Sequence, residues 1–231
     1  AFELPEELLT RLTAGQTLPD VLPPTPFPTF ALWLAQATEA KQSPNPNAMT
    51  LSTAEPDGAV SNRIVLCRGF DVEEGWIEFF TNYDGGKGRA LAANPVAAAC
   101  FHFDHAERQG RMAGTVSESP AEVSDRYFAG RPWESRLSAW ASYQSEPLAS
   151  RSELLTRVPA IMQRLGVTAA AIREQGNGVH IPRPPHWGGF RLLVRRCELW
   201  LGGPGRLHDR AVWCRTLTPT IGPWSATRLN P

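Results

Sequence analysis

A chain of 231 residues with 23 basic and 23 acidic side chains carries no formal net charge. That length can bury the core of one large domain, and the charge balance argues against a polyanion such as nucleic acid as main partner while leaving room for a small phosphorylated ligand. With no run of about 18 apolar residues and no signal-peptide pattern in AFELPEELL, no membrane span is expected and the chain reads as cytoplasmic.

Residues 1–28, ending TLPDVLPPTPFP, are rich in proline and poor in pattern. They read as an arm over the rest, or a disordered lead, before a domain at 29–231. PTFALWLAQATEAK predicts a helix with Phe30, Trp33, Leu34 and Ala37 on one face, stopped by QSPNPN. MTLSTAE alternates, PDG turns, AVSNRIVLCRGF alternates again, DVEEG turns, and WIEFFTNY completes an antiparallel meander. YDGGKGRALAANP is a glycine-rich turn into a short helix ended by Pro95, and VAAACFHF and RQGRMAGTVSES are two further strands.

Two helix starts follow. Ser119 and Glu122 predict a capping box with Pro120 at the first helical position, and Ser150 and Glu153 predict another. Pro159 should kink or break the second helix. IREQGNGVHIPRPPHW reads as a loop; GGFRLLVRRCELWLGG, RAVWCRTL and the terminal segment return to strands. Cys67, Cys100, Cys197 and Cys214 fall in apolar strand-like runs without a CxxC pair, the pattern of small buried hydrophobes in a reducing compartment. The class is α+β, mainly β: an antiparallel, barrel-like sheet with helices between its strands.

Several groups of polar residues suit an anionic, aromatic ligand. In RIVLCR, alternation puts Arg63 and Arg68 on opposite faces; an inward arginine needs an anion, whereas an edge arginine needs none. In FFTNYDGGKG, Gly85 and Gly86 before Lys87 can turn backbone N–H groups and a helix N-terminus toward a phosphate, or only make a tight turn. Gln109 and Gln144 could each bond the edge of a heterocycle. Tyr127, Arg131 and Ser135 recur every four residues, a phosphate clamp if helical. GRLHDR places two arginines and His208 just after the apolar run ELWLGG. HFDH holds two histidines, but alternation points His102 and His105 to opposite faces, so no metal is expected. No GxSxG elbow supports a hydrolase.

Taken in order, RIVLCR, FFTN with its following KG, ERQ, YFAGRPWES with the later Trp140 and Gln144–Ser145, WGGF, ELWLGG, RLHDR and the terminal RLNP resemble the pyridoxine (pyridoxamine) 5′-phosphate oxidase family from about Phe30 to Pro231. The resemblance implies a split β-barrel homodimer with FMN across the subunit interface, residues 187–231 serving dimerisation and substrate. FMN would meet Arg63, Ile64, Val65, Leu66, Cys67 and Arg68, then Phe80, Thr81, Gly86 and Lys87, and also Gln109, Gln144, Ser145, Trp200 and Arg210. Substrate phosphate would meet Arg68, Tyr127, Arg131 and Ser135. Arg206, Leu207 and His208 would lie against the pyridine ring, with Arg206 and His208 in the catalytic role. The implied reaction oxidises pyridoxine or pyridoxamine 5′-phosphate to pyridoxal 5′-phosphate, with dioxygen giving hydrogen peroxide. The alternatives are a flavoenzyme of the same scaffold acting on another aromatic substrate, and a non-catalytic binder of FMN or pyridoxal phosphate.

The chain departs from the family pattern at four places. Arg68 stands where lysine is usual. Gly85 and Gly86 replace a serine–arginine pair, and a lost charge-assisted contact is worth about 1.5–3 kcal/mol. The arm lacks the arginine–tyrosine pair that several relatives fold over substrate, and 172–186 is longer than the usual link before WGGF.

Overall fold

The computed structural model of the chain describes residues 5–231. Its strands form one nine-stranded antiparallel sheet, as the alternation predicts. β1 (Ala48–Ala54) pairs with β2 (Val60–Leu66) and β3 (Gly69–Asp71) with β4 (Trp76–Asn82), but β2 pairs with neither β3 nor β4, so the expected meander breaks into two hairpins; β5 (Val96–Phe103), β6 (Arg108–Glu118), β7 (Trp187–Leu201), β8 (Asp209–Cys214) and β9 (Ser225–Leu229) complete the sheet. The order is β2-β1-β5-β6-β7-β4-β3, with β8 on β7 and β9 on β8.

β7 is where the sheet forks. Along one edge it pairs with β6. Along the other, Trp187–Leu193 pairs with β4 and Arg196–Leu201 pairs with β8. The β6–β7 register shifts at Ala113/Gly114. A Cβ on Gly114 would lie 1.9 Å from the Leu193 carbonyl oxygen, so only glycine lets the two backbones approach at this bulge.

Helix α2 (Phe27–Ala40) closes one side of the sheet. Phe30, Trp33 and Ala37 are buried as predicted, while Leu34 is half-buried. Phe30 packs edge-on against Phe101 at 4.8 Å and Phe70 at 5.9 Å. A second core forms under α4 (Ala121–Ala129), α5 (Trp133–Ala141), α6 (Arg151–Leu165) and α7 (Ala169–Gln175) around Phe128, Leu137 and Trp187. Among the described residues no helix is long and apolar enough to cross a membrane.

Several expectations are corrected. The arm contains a helix, α1 (Glu6–Thr13), and is tied down beyond it: the Leu18 N–H donates to Asp209 Oδ2 at 2.7 Å and the Trp213 indole to the Pro23 carbonyl at 2.8 Å. Ser119 caps nothing; its hydroxyl donates to Glu78 Oε1 at 2.8 Å, and Pro120 itself is the N-cap of α4. Ser150 does cap α6, accepting from the Glu153 N–H at 3.1 Å. Pro159 lies inside α6 without ending it. The carbonyl it leaves unpaired belongs to Leu155, an exposed residue, where water can satisfy it. The segment expected as a loop from Ile172 begins in α7, capped by the Thr168 hydroxyl accepting from the Ala171 N–H. Of the cysteines, Cys67 and Cys197 are buried, Cys100 is half-buried and Cys214 is exposed at the end of β8.

Candidate functional site

A cavity of about 590 Å³ lies between β2, β4, the start of helix α3 (Gly86–Ala93), α4 and α5. Arg63, Ile64, Val65, Leu66 and Arg68 form one wall. Strict alternation would send Arg63 and Arg68 to opposite faces. The chain changes partner between them: the Cys67 N–H pairs with the Asn47 carbonyl, and the Arg68 N–H with the Glu78 carbonyl on β4. Both arginines therefore reach the same space. Cys67 stays buried in the core, its thiol pushed up to about 11 by burial, and it does not line the cavity.

Arg63 is held only by neutral acceptors, Thr53 Oγ1 at 2.9 Å and Ser61 Oγ at 2.8 Å, with the Leu51 and Ser61 carbonyls. Lys87, one residue into α3, donates to Gln144 Oε1 at 2.6 Å and Thr81 Oγ1 at 2.9 Å. Burial, with Arg63 adding to it, brings the Lys87 ammonium down from 10.5 to about 8. Gln144 lies in a turn that closes on α3. The Gly86 N–H donates to Ser145 Oγ at 3.1 Å, and Arg89 pairs with Glu146 at 2.8 Å. A Cβ on Gly85 would lie 2.7 Å from Gln144 Oε1, so glycine permits this closure. Gly86 and Ser145 thus buttress the cavity without lining it.

The opposite wall is aromatic. Phe80 and Tyr127 stack at 4.0 Å with 7° between planes, and Trp187 continues the stack. Arg131 lies over the Trp187 ring at 4.6 Å. Its Nη1 is buried without a hydrogen-bond partner, and burial lowers its pKa. Tyr127, Arg131 and Ser135 do not share one helix: α4 ends before Gly130, and Pro132 is the N-cap of α5. The turn between still leaves all three on the cavity. Its lining thus holds four cations, Arg63, Arg68, Lys87 and Arg131, and no carboxylate.

The remaining predicted residues gather elsewhere. Trp200 on β7 faces Gln109 on one side and Arg210 on the other. The His208 ring lies 4.6 Å from Trp200, and its Nδ1 accepts from the Gly203 N–H at 3.2 Å. That bond leaves the neutral ring's proton on Nε2. Arg206 and Leu207 are exposed, with Gly205 and Arg206 in left-handed backbone at φ 62° and 65°. Arg210 donates to Glu198 Oε1 at 2.7 Å and to the Asn230 carbonyl at 3.0 Å. Glu198 is 1% exposed and also pairs with Arg111 and Arg196. Burial alone would raise its pKa; the hydrogen bonds and charges of these arginines hold it below the ordinary value.

These two groups sit at opposite ends of β7. Trp187 and Trp200 are thirteen residues apart, roughly 40 Å along an extended strand. One chain does not assemble the whole predicted site. Glu198 and Glu78 escaped the sequence reading, although each is a lone acid in an apolar run, CELWL and WIEFF. His102 and His105 are exposed, and no three potential metal ligands gather among the described residues.

Residues 36–163 match a family model described as pyridoxamine 5′-phosphate oxidase, and 187–231 one described as the pyridoxine 5′-phosphate oxidase C-terminal dimerisation region. A pyridoxine/pyridoxamine 5′-phosphate oxidase of Gloeothece citriformis (strain PCC 7424) is 49% identical over 202 residues, covering 87% of this chain and 86% of that protein. One from Burkholderia orbicola (strain MC0-3) is 46% identical, covering 90% of each. Among solved structures, PhzG from Burkholderia lata 383, in complex with tetrahydrophenazine-1-carboxylic acid, superposes with a TM-score of 0.77 at 27% identity, covering 94% of this chain and 100% of that one. A pyridoxamine 5′-phosphate oxidase-related, FMN binding protein from Nostoc punctiforme PCC 73102 shares the fold, with a TM-score of 0.66 at 18% identity over 91% of this chain and 100% of that one.

Proposed function

This chain belongs to the pyridoxamine 5′-phosphate oxidase family, and from that premise we propose that it oxidises pyridoxine or pyridoxamine 5′-phosphate to pyridoxal 5′-phosphate, with FMN as cofactor and dioxygen as acceptor, releasing hydrogen peroxide. The observation that carries the reading is the cavity's charge. Four cations line it without a carboxylate, and Arg131 Nη1 is buried and unpartnered. A buried cation without a counter-ion is costly unless a ligand supplies one. Two phosphates, one on each ligand, would do so.

The residues fit FMN. Lys87 and Arg63 would meet its phosphate end, with Thr81 and Gln144 holding the lysine, and Ile64 to Leu66 would border the ring. When bound, FMN would supply the two-electron redox chemistry that links the substrate carbon to dioxygen. The chain's own task is positioning. Tyr127 and Ser135 offer hydroxyls, and Arg68 and Arg131 guanidinium groups, to the substrate phosphate. Arg206 offers a cation to the pyridine ring, and His208 presents Nε2–H as a donor while Gly203 fixes its tautomer.

Gln109, Trp200, Arg206, His208 and Arg210 lie at the far end of β7 from the cavity, so for them to join it a second copy would have to supply them. We infer a homodimer with two shared sites, in keeping with the match to a dimerisation region at 187–231. Arg210 would reach the cofactor as part of the Glu198 cluster rather than as a free cation.

The test is an aerobic assay of the FMN-loaded protein on both phosphates, following aldehyde and peroxide together. Product matched by peroxide supports the reading. A second reading follows from the likeness to PhzG, whose bound ligand is a carboxylate rather than a phosphate ester. Yellow protein that turns over neither phosphate would sink the first reading and favour another aromatic acid.

A further inference from the structure

A second hollow of about 600 Å³ adjoins the cavity. Arg68, Phe80, Tyr127, Arg131 and Pro132 line both spaces, so the Tyr127–Phe80 stack stands between an inner and an outer lobe. The outer lobe adds Glu78, Val123, Arg126 and Gly130. Val123, Arg126 and Gly130 follow at spacings of three and four, one face of α4 and its C-cap.

Three guanidinium groups, those of Arg68, Arg126 and Arg131, converge on this lobe. Among the described residues none donates a hydrogen bond or makes an ion pair; Glu122, one turn before Arg126, does not pair with it. Glu78 is the lone carboxylate in the lining, and it is already neutralised. Its Oε1 accepts from Arg191 Nε at 2.9 Å and from Ser119 Oγ at 2.8 Å. The lobe therefore keeps an uncompensated positive charge, and a concave wall concentrates such a field.

We propose that the outer lobe is a vestibule that captures aryl phosphate monoesters before they pass to the inner cavity, and that Arg126 is its specificity-determining residue. The idea rests on the reading of the inner cavity as a site for a phosphorylated ligand. Arg126 differs from Arg68 and Arg131 in lining only the outer lobe. It should set how fast a dianion arrives and not how it reacts. Its pull should also fade with salt, since an exposed charge is screened beyond a Debye length of about 8 Å at physiological ionic strength.

The experiment is stopped-flow mixing of the FMN-loaded protein with pyridoxal 5′-phosphate, read by quenching of tryptophan fluorescence, with Trp187 lining the inner cavity. At about 20 mM salt, Arg126→Ala should lower the association rate constant roughly 3- to 10-fold, and at about 500 mM salt to within about twofold of the parent. Arg126→Lys should restore the rate. Gly130→Asp should lower it further: Gly130 has ordinary helical backbone (φ −76°, ψ −5°), and a Cβ there would meet nothing nearer than 3.7 Å, so the new carboxylate introduces no strain. Phenyl phosphate serves as second probe. If it shows the Arg126 and salt dependence while pyridoxal 5′-phosphate does not bind, the vestibule stands and the substrate assignment falls. If neither ligand binds, or the Arg126→Ala rates match the parent at low salt or fall equally at every salt, the vestibule is overturned.

Discussion

Lys87 gives the sharpest test of the cofactor end of the cavity. In the free protein its ammonium titrates at about 8 against an ordinary 10.5, because it is half-buried beside Arg63 with only Gln144 and Thr81 as partners. An FMN phosphate would supply the missing anion and return the bound lysine toward its ordinary value. Binding must then take up a proton once the free lysine has lost its own. A group with pKa of about 8 is roughly 90% protonated at about pH 7 and roughly 9% at about pH 9, so the FMN dissociation constant should rise roughly tenfold, or about 1.4 kcal/mol. Unfolding cannot mimic this through Lys87. From about pH 8 to the ordinary 10.5 the unfolded chain holds more protons on Lys87 than the folded one, so this group's contribution to stability rises with pH while affinity falls. The assay is fluorescence titration of FMN across that range on the parent, Lys87→Arg and Lys87→Met. Arginine should give a flat profile, and methionine a flat, weaker one. A parent profile as flat as the arginine variant's would refute the reasoning.

Arg206→Ala should leave FMN affinity unchanged and lower kcat by roughly 10²-fold, as loss of a cation beside developing charge commonly does; full turnover would remove Arg206 from the site. Gly86→Arg should tighten FMN several-fold by adding a charge-assisted contact: a Cβ at Gly86 would sit 3.5 Å from Ser145 Oγ, an ordinary contact. An unchanged dissociation constant would mean the existing cations suffice. Gly114→Ala should lower the unfolding free energy, read from urea denaturation, by about 1–3 kcal/mol, because its Cβ collides with the Leu193 carbonyl; an unaltered midpoint would show that the fork in the sheet tolerates an open bulge.

What the sequence made legible was local. Period-two alternation found the strands, and the Phe30–Ala37 stripe found α2, because each signal is carried by neighbours on one element. What it hid was tertiary. An eight-residue helix such as α1 is marginal alone, and its neighbours are the distant Pro204–Arg206 turn, which nothing in EELLTRLT announces. Ser119 has the residues of a capping box, but Glu78 on β4 takes its hydroxyl. At the site, residue types were legible and grouping was not: Arg63 and Arg68 share a cavity only because the chain changes strand partner at Cys67–Arg68. Thr168 before three alanines is a local signal of the same kind, an N-cap followed by strong helix formers.

The zero net charge of the chain hides two clusters of cations, one at each end of β7. At the Trp200 end a buried acid gathers cations: Glu198 takes Arg111, Arg196 and Arg210. Nearby, Asp209 takes Arg228. At the Trp187 end the acids are paired one to one. Glu78 is silenced by Arg191, Glu146 is drawn away by Arg89, and Asp125 by Arg183. What remains facing the cavity is cation alone. A composition count argues against a polyanion partner because it averages over the surface. It cannot see that pairing elsewhere removes the acids from one concave face. The chemistry proposed here depends on that separation, so adding a carboxylate to the cavity rim should do more harm than removing any one of its arginines, since an acid both cancels a cation and repels the ligand.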